Sequence, residues 1–270
     1  MTDNPNLLQS ALAILVAVLY VAAAARQLLL LDSERAQHQP RGLLYVALLA
    51  VSLHLVSVVM SWGAGNLDLG FYHVASLIFL TMGVLSLTTL LFRPLHMVLI
   101  LTFPLAGLAV LLNAFAPATG RPLDGLQDGL LLHISFSLIA FGVLALATFQ
   151  AVLVSMQTQR LRRHQTRGFI RMLPALDLME RMFWELLALG VLLLTLAIVT
   201  GGLFIDDLFA QHLVHKTVLT VLAWLIYGVT LLIHWRSGLR INSAVTLAMT
   251  GFACMALGFF GSKLVLELLL

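Results

Sequence analysis

Apolar residues in this chain run in long unbroken blocks, with few polar positions inside them. Eight blocks stand out, at residues 6–25, 42–62, 71–92, 95–116, 129–154, 184–203, 216–235 and 241–261. A helix crossing a bilayer needs about 20 mostly apolar residues, and each block supplies that. The blocks are too long for membrane strands and lack alternation of period two. The pattern predicts an all-α, polytopic membrane helix bundle of eight transmembrane helices. No internal repeat and no separating linker divides it, so residues 1–270 read as a single transmembrane domain.

The polar stretches between the blocks set the orientation. Arg26, Arg35, Arg41, Arg93, Arg160, Arg162, Arg163, Arg167, Arg171, Arg181, Arg236 and Arg240 fall in connections on one side, which makes 12 of the 15 basic residues. Only Arg121, Lys216 and Lys263 fall on the other. Basic residues collect in cytoplasmic loops. The expected topology therefore has both termini on the outer (periplasmic) side of a bacterial inner (plasma) membrane. The start, "MTDNPN", has no basic residue and no cleavage-type site, so the first block reads as a retained span. The longest connection contains "FIRMLPALDLMERMF", which reads either as a solvated topogenic loop or as an interfacial segment broken at Pro174. Its basic residues would favour an anionic leaflet.

Composition agrees with the pattern. Hydrophobic residues make up 61% and charged residues 10%, against about 25% charged in a soluble domain. In such a chain the basic excess carries topology and does not point to nucleic acid. The single cysteine, Cys254, rules out an internal disulfide or thiol pair, and no C-x-x-C-H attaches a c-type haem. No P-loop, zinc-protease pair or serine elbow occurs. Carboxylates are nearly absent from the spans, which weighs against a cation-coupled transporter.

Histidine remains. His38, His96, His164 and His234 lie on the basic side and read as solvated or interfacial. His54 lies within the second span, near Ser52, Ser57 and Ser61 in sequence. A buried imidazole needs polar partners, so it is either an interhelical hydrogen bond or a ligand. His73, His133, His212 and His215 all map to the outer ends of spans, where imidazoles from three helices could converge on iron or another metal. Lys216 follows directly, and an ammonium there could pair with a carboxylate or snorkel to the interface.

"LLLHISFSLIAFGVLALATFQAVLV", "LDLMERMFWELLALGVLLLTLAIVTGGLF", "HKTVLTVLAWLIYGVTLLIHWRSGLR" and "GFACMALGFFGSKLVLELLL" together resemble the cytochrome c assembly, haem-handling membrane family of the CcsA and CcmC type. The likeness is best over 129–270 and weaker over 42–92. The family's tryptophan-rich external motif is absent between residues 203 and 216, and "GFFGSKL" stands where a last outer histidine is usual. The chain thus looks most similar to the short bacterial YpjD- and HemX-like branch. The resemblance implies haem held near the outer face, with His133 as the first axial ligand. His215 is the preferred second, with His54 an intramembrane ligand or orienting group, and Lys216 beside a propionate. His212 and His73 are weaker candidates. The metal ligands are therefore expected to be His133 and His215, the cofactor haem, and the partners the lipid bilayer and cytochrome c maturation or other membrane proteins. With no acid, base or nucleophile constellation visible, the chain is not expected to be an enzyme. Two alternatives are a non-haem scaffold or regulator of another membrane protein and, third, a metal or small-solute transporter.

Overall fold

The computed structural model describes residues 5–30, 41–63, 70–92, 96–115, 128–164, 173–204 and 214–261. Eight helices fill these segments: α1 (Pro5–Leu30), α2 (Arg41–Gly63), α3 (Phe71–Phe92), α4 (His96–Phe115), α5 (Asp128–Arg162), α6 (Leu176–Phe204), α7 (Val214–Ser237) and α8 (Ile241–Ala256). A π-helical turn, Leu257–Gly261, extends α8. All eight are long and apolar enough to cross a membrane when α8 is counted with its π turn. Helix is the expected state for such blocks, because in hydrocarbon each backbone N–H and C=O must find its partner within the segment.

Packing divides the chain into two compact units, residues 1–124 and 125–270. In the first, α1 packs on α2 and α4, and α3 packs on α2 and α4, which closes a ring of four. Small residues allow the closest approach: a Cβ on Gly107 of α4 would meet the backbone of Ala17 in α1 at 3.3 Å. Tyr20, Leu43, Leu99 and Phe103 fill the centre, and none is more than 1% exposed. Leu7, Ile14, Val18 and Leu29 point outward, as residues facing lipid do.

The second unit repeats the ring as α5, α6, α7 and α8, with α8 returning to α5. Its helices run antiparallel to their neighbours. Going down α5, His133, Gln150 and Gln157 meet Ala197, Met179 and Pro174 going up the chain toward the start of α6. Trp224 and His234 of α7 likewise meet Thr195 and Trp184 of α6. Gly129 lies against the ring of Phe204, and Gly251 lies under the ring of Tyr227.

α5 and α6 outrun their apolar blocks the furthest. α5 has 35 residues, about 52 Å at helical rise, against a hydrocarbon core of about 30 Å. Its polar end stays helical because Gln157 is buried and donates to the Pro174 carbonyl at 2.9 Å, and Thr158 donates to the Val154 carbonyl at 2.8 Å. The stretch after Pro174 is the first part of α6 and not a separate interfacial segment. Met179, Met182 and Phe183 are buried there, and Arg181 pairs with Asp177 one turn back at 2.9 Å. Pro174 sits ahead of the helix, where its missing N–H costs nothing.

Candidate functional site

The sequence-predicted residues fall into two groups. In the first unit His54 is fully buried. Its Nδ1 lies 3.1 Å from the Tyr20 hydroxyl of α1, and its Nε2 lies 3.0 Å from Ser76 Oγ of α3. Tyr20 presents its ring edge to His54 at 5.8 Å and to Phe103 at 4.9 Å. One imidazole thus ties three helices together, with one ring nitrogen donating and the other accepting. Either nitrogen would have to give up a bridging bond before meeting a metal. The serines near His54 in sequence are not its partners: Ser61 donates to the Ser57 carbonyl and accepts from Gln9. Tyr20 and Ser76 carried no sequence signal, because helix pairing had to be known first. His73 is also in the first unit, buried one turn before Ser76.

In the second unit His133 lies in the second turn of α5, half-buried, with Nδ1 2.8 Å from the Ala197 carbonyl of α6. A carbonyl oxygen only accepts, so Nδ1 carries the proton. In this tautomer Nε2 keeps its lone pair. Histidines that ligate metals commonly have this arrangement, with the far ring N–H donated to a carbonyl that fixes tautomer and orientation. Thr200 Oγ1 also donates to Ala197 at 3.1 Å and holds that carbonyl in place.

His215 and Lys216 open α7. Because α5 and α7 run parallel, they lie at the same end of the second unit as His133. His215 is exposed and Lys216 half-buried. At this end the bundle is more open. Apart from Gly129, residues 128–137 of α5 are half-buried or exposed, and a buried run begins at Ala140. His212 lies outside the described residues. His133 and His215 are therefore brought to one end of one unit, and His54 and His73 belong to the other unit.

The opposite end of the second unit holds a feature the sequence did not suggest. His234 stacks on Trp184 with ring centroids 3.6 Å apart and planes 11° from parallel. Its Nδ1 is buried without a hydrogen-bond partner. The residue is half-buried and packed against Trp184.

Among the described residues no three His, Cys, Asp or Glu side chains gather as a metal cluster. A structural zinc site needs four such ligands. Haem iron takes four of its ligands from the macrocycle and needs one or two from the protein. A half-buried imidazole with an oriented, unprotonated Nε2 fits that requirement.

The fold and these histidines define a multi-pass helical membrane protein. The profile of the family described as "Cytochrome C assembly protein" matches residues 43–270, and the chain belongs to that family. It is a multi-pass inner-membrane protein. It is 31% identical over 141 residues to the inner membrane protein YpjD of Escherichia coli strain K12, covering 52% of this chain and 53% of that protein. It is 29% identical over 141 residues to an uncharacterized 28.8 kDa protein of Azospirillum brasilense, covering 52% of each. The chain thus aligns with about half the length of these relatives. No solved structure matches it.

Proposed function

We propose that the chain holds haem at the His133 end of its second unit, in the service of cytochrome c biogenesis or of the haem supply behind it. The observation that carries this reading is the Nδ1–H hydrogen bond from His133 to the Ala197 carbonyl, which leaves Nε2 ready for iron. His215 at the same end would supply the second protein ligand, and Lys216 would pair with a propionate. Haem supplies redox-active iron when bound, and the protein's part is to ligate, orient and shelter it. His54, engaged at both nitrogens by Tyr20 of α1 and Ser76 of α3, is a helix-joining residue of the first unit in this reading. The action is binding and presentation, not turnover.

The basic residues support an outer, periplasmic placement of this end. Arg160, Arg162, Arg163, Arg181, Arg236 and Arg240 all belong to the other end of the second unit. The positive-inside bias favours a cytoplasmic position for that end, which supports an outer position for His133. Membership in the cytochrome c assembly family supports the haem assignment. The test is to express the chain with ample haem, purify it and record the absorption spectrum. A Soret band in the wild type that is lost in His133→Ala and altered in His215→Ala supports the function. No band in the wild type, or an unaltered band in both variants, refutes it.

A further inference from the structure

The end of α8 departs from the α-helix. Leu257–Gly261 winds as a π turn, and π turns are rare and concentrate at functional sites. In ordinary α winding, adjacent side chains diverge by about 100°. The wider turn brings Phe259 and Phe260 onto the same ring of α5: their centroids lie 5.2 and 5.4 Å from that of Phe141. Phe252, from the α-helical part, lies 5.4 Å from it as well. Phe141 is buried, whereas Phe252, Phe259 and Phe260 are only half-buried and keep aromatic surface uncovered.

The turn is also fixed to the candidate site. Gly258 is buried against α7, where an added Cβ would lie 3.2 Å from Leu219 Cβ and 3.5 Å from the Lys216 carbonyl. The absence of a side chain at Gly258 seats the π turn on the helix that begins with His215 and Lys216. Phe141 is two turns along α5 from His133, and side chains on a helix lean toward its N-terminus, which here is the His133 end.

We propose that the π turn gathers Phe259 and Phe260 with Phe141 and Phe252 into an apolar aromatic wall, against which a porphyrin ring lies at the His133 end of the second unit. The choice of occupant rests on the haem function proposed above. A porphyrin is flat, aromatic and apolar over most of its face, and half-covered phenyl rings offer it stacked and edge contacts. The wall recognises the macrocycle and His133 recognises the iron, so the two contributions separate.

Iron-free protoporphyrin IX separates them experimentally. The full chain, purified without haem in detergent, is titrated with it and binding is followed by porphyrin fluorescence anisotropy. The wild type should bind it saturably, because the wall needs no iron to hold the macrocycle. A Phe259→Leu/Phe260→Leu variant keeps apolar volume but loses both rings, and should bind about tenfold more weakly. Its circular dichroism melt should match the wild type; if it does not, Phe259→Leu alone is used and should weaken binding about threefold. An affinity within about twofold of wild type in a folded double variant, or no saturable binding by the wild type, overturns the wall. A His133-dependent Soret band alongside unchanged porphyrin affinity in the double variant leaves iron ligation standing and removes only the wall. Porphyrin binding that depends on the phenylalanines, without a His133-dependent band, does the reverse.

Discussion

Tyr20→Phe removes one oxygen atom from the middle of the first unit and nothing else. The ring stays, with its edge contacts to His54 and Phe103 at 5.8 and 4.9 Å. What goes is the hydrogen bond to His54 Nδ1, 3.1 Å long and buried between α1 and α2. The hydroxyl also sits close to Gly83 of α3, where an added Cβ would lie 3.1 Å from it. Interhelical hydrogen bonds in membranes are worth roughly 0.6 kcal/mol on average and up to about 1.7. This buried one should be near the upper end, about 1 to 1.5 kcal/mol. His54→Ala loses the bonds to both Tyr20 and Ser76 and opens a cavity at a fully buried position, for a total of about 3 kcal/mol. In the His54→Ala background the Tyr20 hydroxyl has lost its His54 partner, so adding Tyr20→Phe should cost under about 0.5 kcal/mol. Unfolding in mixed micelles with increasing SDS, followed by circular dichroism, measures all three. Additive losses, or a Tyr20→Phe loss below about 0.3 kcal/mol, would refute the reasoning that His54 is the strut joining α1, α2 and α3.

The second unit is equally open to test. Gly251→Val drives a side chain into the ring of Tyr227 and should destabilise by roughly 2 kcal/mol or more, read as a lowered melting temperature, whereas the same change at Gly202, where nothing lies within 4 Å, should avoid that steric penalty. Gln157→Leu removes the bond that holds the end of α5 to Pro174; hydrogen exchange should speed at Thr158–Arg162 while amides near Leu144 stay protected. Cysteines placed at Ser237 and Asp128 of a Cys254→Ser chain, in intact cells, should react with a membrane-impermeant maleimide only at position 128. Labelling at 237 alone would reverse the proposed orientation.

Much of the fold is legible in the sequence, because bilayer thickness imposes a minimum block length and all eight blocks satisfy it. Boundaries fail where polar residues stay helical for reasons outside their own block. Gln150 and Gln157 of α5 donate to carbonyls at Met179 and Pro174, partners that exist only once the α5–α6 hairpin has closed. The same closure makes "LDLMERMF" part of α6. The two-unit packing left no mark in the pattern, since lipid-facing and helix-facing apolar residues read alike. The site is legible as histidines at one end of their spans, but not as a group. His73 and His54 fall in the first unit, and His133 and His215 in the second. The partner that orients His133 is a backbone carbonyl, so no side chain at Ala197 could have announced it.

Binding of haem iron by His133 Nε2, as proposed, is tested most directly by rescue of an emptied ligand position. His133→Gly leaves a space where the imidazole stood, and exogenous imidazole can fill it. Ligation by His133 predicts a Soret band in haem-replete wild type, its loss in His133→Gly, and its return when imidazole is added. A wild type without the band, or a His133→Gly protein that keeps the wild-type spectrum with no imidazole present, would contradict it.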